Sequence, residues 1–310
     1  MSETKALISA VRSVVVRVRS VAESRPFYEQ GLGLTCTGVE ECAAAAVGLS
    51  GGTARVAQFA QAGEPYGMIE LVEWSAGTGE PIRDPHRPLD FGWFTNNLLT
   101  HDMQRALPQI TQFGARAVSE PKSYLATRRI TETMIDTPTG ERCTLIQAGD
   151  ATDAPHPFGQ ALATMGVIVP DYDAALAFYR DALGLAVAFA MEHTGAPFDA
   201  LVGAPAGTRL RMALLTSDGN WTGKYEILEM TPPAGHAPAR DASPRADGAR
   251  NGYWLVSAYA TDLDAVRANV GSAALARGPV DIERPGTGRV RLMVVRAPGG
   301  ELLELIERKA

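Results

Sequence analysis

The sequence predicts an α+β fold built from four copies of one βαβββ module, and three self-similarities predict it. Residues 13–34, SVVVRVRSVAESRPFYEQGLGL, and residues 164–185, TMGVIVPDYDAALAFYRDALGL, each pass from an apolar strand through a helix with a Phe-Tyr pair to a closing Gly-Leu. Residues 92–107, GWFTNNLLTHDMQRAL, and residues 252–267, GYWLVSAYATDLDAVR, share Gly-aromatic-aromatic, an alternating strand and an Asp that opens a helix. The offset of that second pair also carries the turn Asp136-Thr-Pro-Thr-Gly-Glu141 onto Arg296-Ala-Pro-Gly-Gly-Glu301, each followed by a strand that ends its module. Repetition at a fixed period marks a fold of repeated units.

The modules run over about 11–74, 89–148, 160–230 and 251–308. In the first, Pro26 would break a helix begun at Ser20, so the helix is placed from near Ser24 with Pro26 in its first turn. In the second and fourth, Asp102 and Asp262 open the helices. The third is the clearest. Asp171 is an N-cap, and Tyr172, Ala175, Leu176, Tyr179 and Leu183 recur at helical spacing. Gly184 can take the left-handed conformation that ends a helix. Val187–Met191, Arg209–Leu215 and Tyr225–Met230 then read as strands between Gly-, Pro- and Asp-rich turns. Linkers fall at 75–90, 148–158 and 231–250, the last a Pro/Ala/Arg-rich stretch without periodicity that predicts a mobile surface connection. Taking neighbours in sequence as partners gives two domains, 1–149 and 150–310, although the sequence leaves open whether module one pairs with two or with four.

Composition narrows the function classes. The chain has 310 residues, of which 45% are hydrophobic and 21% charged, as in an ordinary globular protein. A net charge of −6 supplies no basic surface for phosphate backbones, so nucleic acid is not expected as a partner. Cys36, Cys42 and Cys143 are odd in number and lack metal spacing, which fits a reducing compartment and core thiols. Lys5, Arg12, Arg17 and Arg19 interrupt the first apolar stretch, so neither a signal peptide nor a membrane span is expected. These features place the chain in the cytoplasm, as a monomer or homodimer. No phosphate-binding loop, dinucleotide fingerprint or nucleophile elbow is present.

Phe27-Tyr28-Glu-Gln-Gly-Leu-Gly33, Phe178-Tyr179-Arg-Asp-Ala-Leu-Gly184 and the closing Pro298-Gly-Gly-Glu-Leu-Leu-Glu-Leu-Ile306 resemble the vicinal oxygen chelate superfamily. That family includes glyoxalase I, extradiol dioxygenases, fosfomycin resistance proteins and bleomycin-binding proteins. The resemblance covers nearly the whole chain, and its motifs are specific for fold rather than for reaction. It implies that each module pair curls its eight strands into a cup-like mixed sheet, with helices on the convex face and a ligand cavity in the hollow.

The family holds a divalent metal in the cup on first-strand and last-strand side chains. Counting back seven residues from Ser20, Asp102, Asp171 and Asp262 puts Ser13, Thr95, Thr164 and Leu255 at the first-strand positions. The last-strand positions fall on Glu70, Thr144, Glu226 and Glu304. Transition-metal sites need several convergent N or O ligands and usually an imidazole, and none of these positions is His. No metal and no other cofactor is therefore expected, and the extradiol dioxygenase and glyoxalase I chemistries are disfavoured.

Leu302, Glu304 and Ile306 share one strand face, and Leu303 and Leu305 make the other equally apolar, so Glu304 is expected in a low-dielectric hollow with a raised pKa. The same reasoning covers Glu70 and Glu226. A carboxylate poised near neutrality is a good general base, and the competing reading is a leftover carboxylate paired to an Arg such as Arg211 or Arg289. With contiguous pairing, Glu226 and Glu304 converge in one cup; if modules one and four pair, Glu70 replaces Glu226. His193, placed in a loop over the cavity, is a further acid or base candidate. His86, His156 and His236 lie in linkers and are expected at the surface.

Alternation places Trp93, Thr95 and Asn97 on one face and Tyr253, Leu255, Ser257 and Tyr259 on another, each a cup wall or, equally, core. Trp221, in a polar turn, is a candidate lid. The sequence reading is a metal-independent, glyoxalase-like protein that binds a small apolar or aromatic organic molecule. It would catalyse an isomerisation or lyase-type elimination with Glu304, Glu226 and His193 as proton carriers. Trp93, Tyr253, Tyr259, Ser257, Arg211, Trp221 and Thr164 would contact the substrate. The alternatives are a non-catalytic protein that sequesters a drug or toxin, and a metal enzyme with atypical ligands.

Overall fold

A computed structural model describes residues 6–84, 86–125, 129–237 and 239–308. The first module contributes β1 (Ile8–Val18), β2 (Thr35–Ala43), β3 (Thr53–Ala60) and β4 (Met68–Trp74). The second gives β5 (Gly92–Thr100), β6 (Arg116–Ala117), β7 (Lys122–Leu125), β8 (Arg129–Asp136) and β9 (Arg142–Ala148). The third gives β10 (Phe158–Ile168), β11 (Ala186–Thr194), β12 (Arg209–Thr216) and β13 (Lys224–Thr231). The fourth gives β14 (Gly252–Ala260), β15 (Leu275–Arg284), β16 (Gly288–Arg296) and β17 (Leu302–Arg308). In every module the first strand runs parallel to the last, as β1 does with β4 and β10 with β13.

The modules do not pair with their neighbours in the order that contiguous pairing assumes. One sheet has the order β15-β16-β17-β14-β1-β4-β3-β2 and joins modules four and one. The other, β11-β12-β13-β10-β5-β9-β8-β6 with β7 on β8, joins modules three and two. The joints are antiparallel pairs of first strands, β1 with β14 and β10 with β5. Residues 149 and 150 therefore lie on the chain connecting two strands of one sheet. Between the convex faces lies one core, in which Val14 and Val256 of the first sheet join Leu98 and Val167 of the second and Tyr28 and Tyr179 of the helical segments.

The first helix of each module begins at a side-chain cap. Asp102 accepts from the Gln104 and Arg105 amides, Asp171 from Ala174, and Asp262 from Asp264 and Ala265. The first helix starts earlier than its proline suggested: Ser20 accepts from the Glu23 amide, and α1 spans Val21–Pro26. The chain accommodates Pro26 because the following turn is wide, with the Leu32 amide bonded to the Phe27 carbonyl at 2.9 Å. Module three, which has no proline there, widens identically, with Leu183 N–H on Phe178 O at 3.1 Å. The wide turn thus belongs to the Phe-Tyr…Leu-Gly segment itself.

The 231–250 linker is a second departure. Arg240 pairs with the buried Asp90 at 2.6 Å, and the Ser243 hydroxyl donates to the Gly299 carbonyl at 2.9 Å. These contacts pin the linker to both sheets, while His236 within it is exposed. His86 and His156 are partly buried rather than superficial. His86 lies edge-on to Phe94, and burial lowers its pKa to about 3. His156 Nδ1 accepts from the Phe158 amide at 3.3 Å.

Candidate functional site in the cup of modules two and three

The concave face of the second sheet encloses a cavity of about 310 Å³. Its walls are apolar: Phe94 from β5, Phe189 and Met191 from β11, Met212 from β12, Met230 from β13, and Phe198 from a short helix, Phe198–Val202. Trp221 stands at the mouth, 56% exposed, with the Lys224 ammonium 4.1 Å from its ring centroid.

Glu226 and Glu132 bring carboxyl groups into this apolar hollow. Glu226 comes from β13, next to β10, where Gly166 leaves room for it: a Cβ at Gly166 would stand 2.9 Å from Glu226 Oε2. The Asn97 amide donates to its Oε2 at 2.9 Å and to Thr164 Oγ1 at 3.0 Å. Burial pushes the Glu226 carboxyl up to about 7, against the lowering effect of Asn97. Glu132 is likewise pushed up to about 7 by burial, opposed by a hydrogen bond from Tyr124 and reinforced by the charge of Glu226. Two such carboxyls titrate as a pair. The arrangement can hold one proton and one negative charge near neutral pH, which suits proton transfer to and from a bound molecule.

The other cup carries a buried ion network. Arg12 reaches Glu70 Oε1 at 2.6 Å, and Arg284 bridges Glu70 Oε2 and Glu304 Oε1, each at 2.8 Å. Ser13 and Gln58 also donate to Glu70. All six side chains are buried. The two guanidiniums hold Glu70 well below the usual carboxylate range despite its burial, and its carboxylates raise the pKa of Arg284. The expected rise at Glu70 is thus reversed.

Comparison with known proteins adds the lineage. A family model described as Glyoxalase/Bleomycin resistance protein/Dioxygenase superfamily matches residues 161–305. Glyoxalase I from Zea mays is 16% identical, with 96% of this chain and 92% of that chain covered and a TM-score of 0.60. A putative dioxygenase from Bacillus subtilis is 14% identical over 99% of this chain and 87% of that one, with a TM-score of 0.62. No curated protein sequence matches. Residues 161–305 thus match that superfamily, and the fold of the whole chain is similar to that of glyoxalase I.

The metal-ligand set that the resemblance implies is not assembled among the described residues of either cup. Around Glu226 stand Thr164, Asn97, Thr95 and Thr144, the two last threonines hydrogen-bonded to each other at 2.9 Å. In the other cup the guanidiniums occupy the carboxylate oxygens. Among the described residues no three His, Cys, Asp or Glu converge to hold a metal. Hydroxyls and one carboxylate do not fit a catalytic transition metal.

Several candidate residues stand elsewhere than alternation placed them. Glu304 and Glu226 lie in different sheets and share no cavity. Phe94 and Trp254 are extra residues at irregularities in the first-strand pairs, between Thr95 and Trp93 and between Leu255 and Tyr253. Such a bulge reverses the faces that follow, so Phe94 lines the cup while Trp93 and Tyr253 turn into the core. There Trp93 Nε1 donates to the Leu302 carbonyl and the Tyr253 hydroxyl to the Arg142 carbonyl. Arg211 is on the convex face, paired with Asp173 at 2.8 Å and stacked on Tyr172. Ser257 is buried in the other cup, and Tyr259 beside it accepts from Arg12 at 3.2 Å.

Besides Glu226, three candidates gather around the second cup. Thr164 and Trp221 line it. His193 lies in a strand rather than a loop, on β11, with its ring 5.2 Å from that of Phe198 at the cavity wall. Glu132 and Tyr124 escaped the sequence reading, although Ile130, Glu132 and Met134 alternate on β8 as Glu226 and Leu228 do on β13.

Proposed function

We propose that the cup of modules two and three binds a small, largely apolar or aromatic organic molecule and moves a proton on it without a metal, using Glu226 as the base with Glu132 beside it. The observation that carries this reading is a carboxyl poised near neutrality at the wall of an apolar cavity, held by one amide. Desolvation strengthens such a carboxylate as a base toward an acidic C–H bond. Trp221 stands at the mouth, where it would control entry.

A generic elimination tests it. With 5-nitrobenzisoxazole as probe, Glu226 removes the proton on carbon 3, the C–H electrons complete a nitrile, and the N–O bond breaks to release a coloured phenolate. The expected rate exceeds that of acetate at equal concentration, rises with pH to a plateau above about 7, and is unchanged by EDTA. Glu226→Gln should abolish turnover while sparing affinity. A rate that EDTA removes, or that Glu226→Gln leaves intact, contradicts the proposal.

Met134, Met191, Met212 and Met230 in the walls favour a second reading, since thioether side chains adapt to varied ligands. In that reading the cup sequesters its ligand: the probe binds, does not react, and Glu226→Gln leaves its Kd nearly unchanged.

A further inference from the structure

The two cups are internal copies, and they treat their carboxylates oppositely. Thr164 pairs with Lys224 as Ser13 pairs with Met68, so Glu226 stands where Glu70 stands, two residues on. The residue before Ser13 is Arg12, whose guanidinium neutralises Glu70; the residue before Thr164 is Ala163. Across the strand, Gln58 faces Glu70 and donates to it, whereas Leu214 faces Glu226. The first cup therefore carries built-in cations seated between carboxylates, Arg284 lying between Glu70 and Glu304.

The second cup has the carboxyls without the cation. Glu226 and Glu132 both line its cavity, and among the described residues no ion pair is formed to either. Lys224 shares the cavity wall, but its ammonium donates to the Trp221 carbonyl at 2.7 Å and sits over the Trp221 ring at the mouth. Asp199 is already satisfied by the Ala200 and Gly207 amides at 2.6 and 2.8 Å. Asn97, 5% exposed, turns its amide nitrogen to Glu226 and leaves Oδ1 buried with no donor. An orphaned buried acceptor beside an uncompensated carboxyl asks for a partner rich in N–H donors.

We infer that the occupant of this cup is an organic ammonium ion on an apolar or aromatic body, its N–H groups donating to Glu226, to Asn97 Oδ1 and to Glu132, in the part that Arg284 plays in the other cup. This rests on the reading of the cavity as a binding site and names the ligand class within it. The body fills the Phe and Met walls, and the charge makes the buried contact that a neutral analogue of the same shape lacks.

The test compares 4-phenylbutylamine with 4-phenylbutan-1-ol, equal in ring and chain, by calorimetric titration of the full chain. At pH 8 the amine should bind about tenfold more tightly or better. At pH 5, where the two glutamates are protonated, the advantage should shrink below about threefold. The Glu226→Gln/Glu132→Gln double variant should reproduce the pH 5 result at pH 8, while the pH comparison needs no variant at all. An alcohol that binds as tightly as the amine at pH 8 overturns the inference and leaves the cavity a binding site. An amine advantage that survives at pH 5 and in the double variant also overturns it. If neither probe binds, the reading of the cup as an apolar binding site falls as well.

Discussion

The Tyr179 hydroxyl donates to Glu301 Oε1 at 2.8 Å, a bond between the helical segment of module three and the closing turn of module four. Tyr28 repeats it with Glu141, joining modules one and two. Modules one and two, and modules three and four, are thus clasped through the shared core, while each open sheet is made by modules that are not clasped. The Phe-Tyr and Pro-x-Gly-Glu motifs meet in this clasp, far from either cup, which explains why they mark the fold and say little about the reaction.

Removing the clasp hydroxyl should destabilise without touching the cavity. Tyr179→Phe leaves the buried Glu301 carboxyl with no side-chain donor, at a cost of about 1–3 kcal/mol. Denaturant unfolding should show this loss, with ligand affinity of the second cup unchanged.

Stability should fall as pH rises from about 4.5 to about 7, because burial raises Glu226, Glu132 and Glu301 to about 7 in the folded chain. The folded state then binds more protons than the unfolded state across that window, so the contribution is fully present below the unfolded value and lost as pH passes through the folded one. Glu70, lowered by its arginines, acts in the opposite sense and loses its contribution only in stronger acid. Glu226→Gln should therefore stabilise the chain at pH 8, by on the order of 1–3 kcal/mol, and change little at pH 4.5. Equal effects at both pH values would contradict the assignment.

The cup of modules one and four should respond to truncation as a buried ion network. Arg284→Met strips the shared cation from Glu70 and Glu304 and should cost about 3–5 kcal/mol. Adding Glu70→Gln and Glu304→Gln to that variant should recover part of the loss, since the stranded charges are gone. Thermal unfolding of the single and triple variants measures both effects.

The sequence by itself determined the four modules, their succession of strand and helix and the caps at Asp102, Asp171 and Asp262, because these rest on repeats and on interactions within a few residues. It also placed glutamates on inward strand faces, since alternation is a local property of extended chain. Tertiary structure alone decided which modules share a sheet, and with that whether Glu226 meets Glu304 or Glu132. It likewise decided that Trp93 and Tyr253 leave the cups, because a one-residue bulge reverses the faces and leaves no mark in composition or spacing. Most consequentially, it set the state of each carboxyl: Arg12 and Arg284 lie 58 and 214 residues from Glu70, and only long-range packing brings charge to one cup and withholds it from the other.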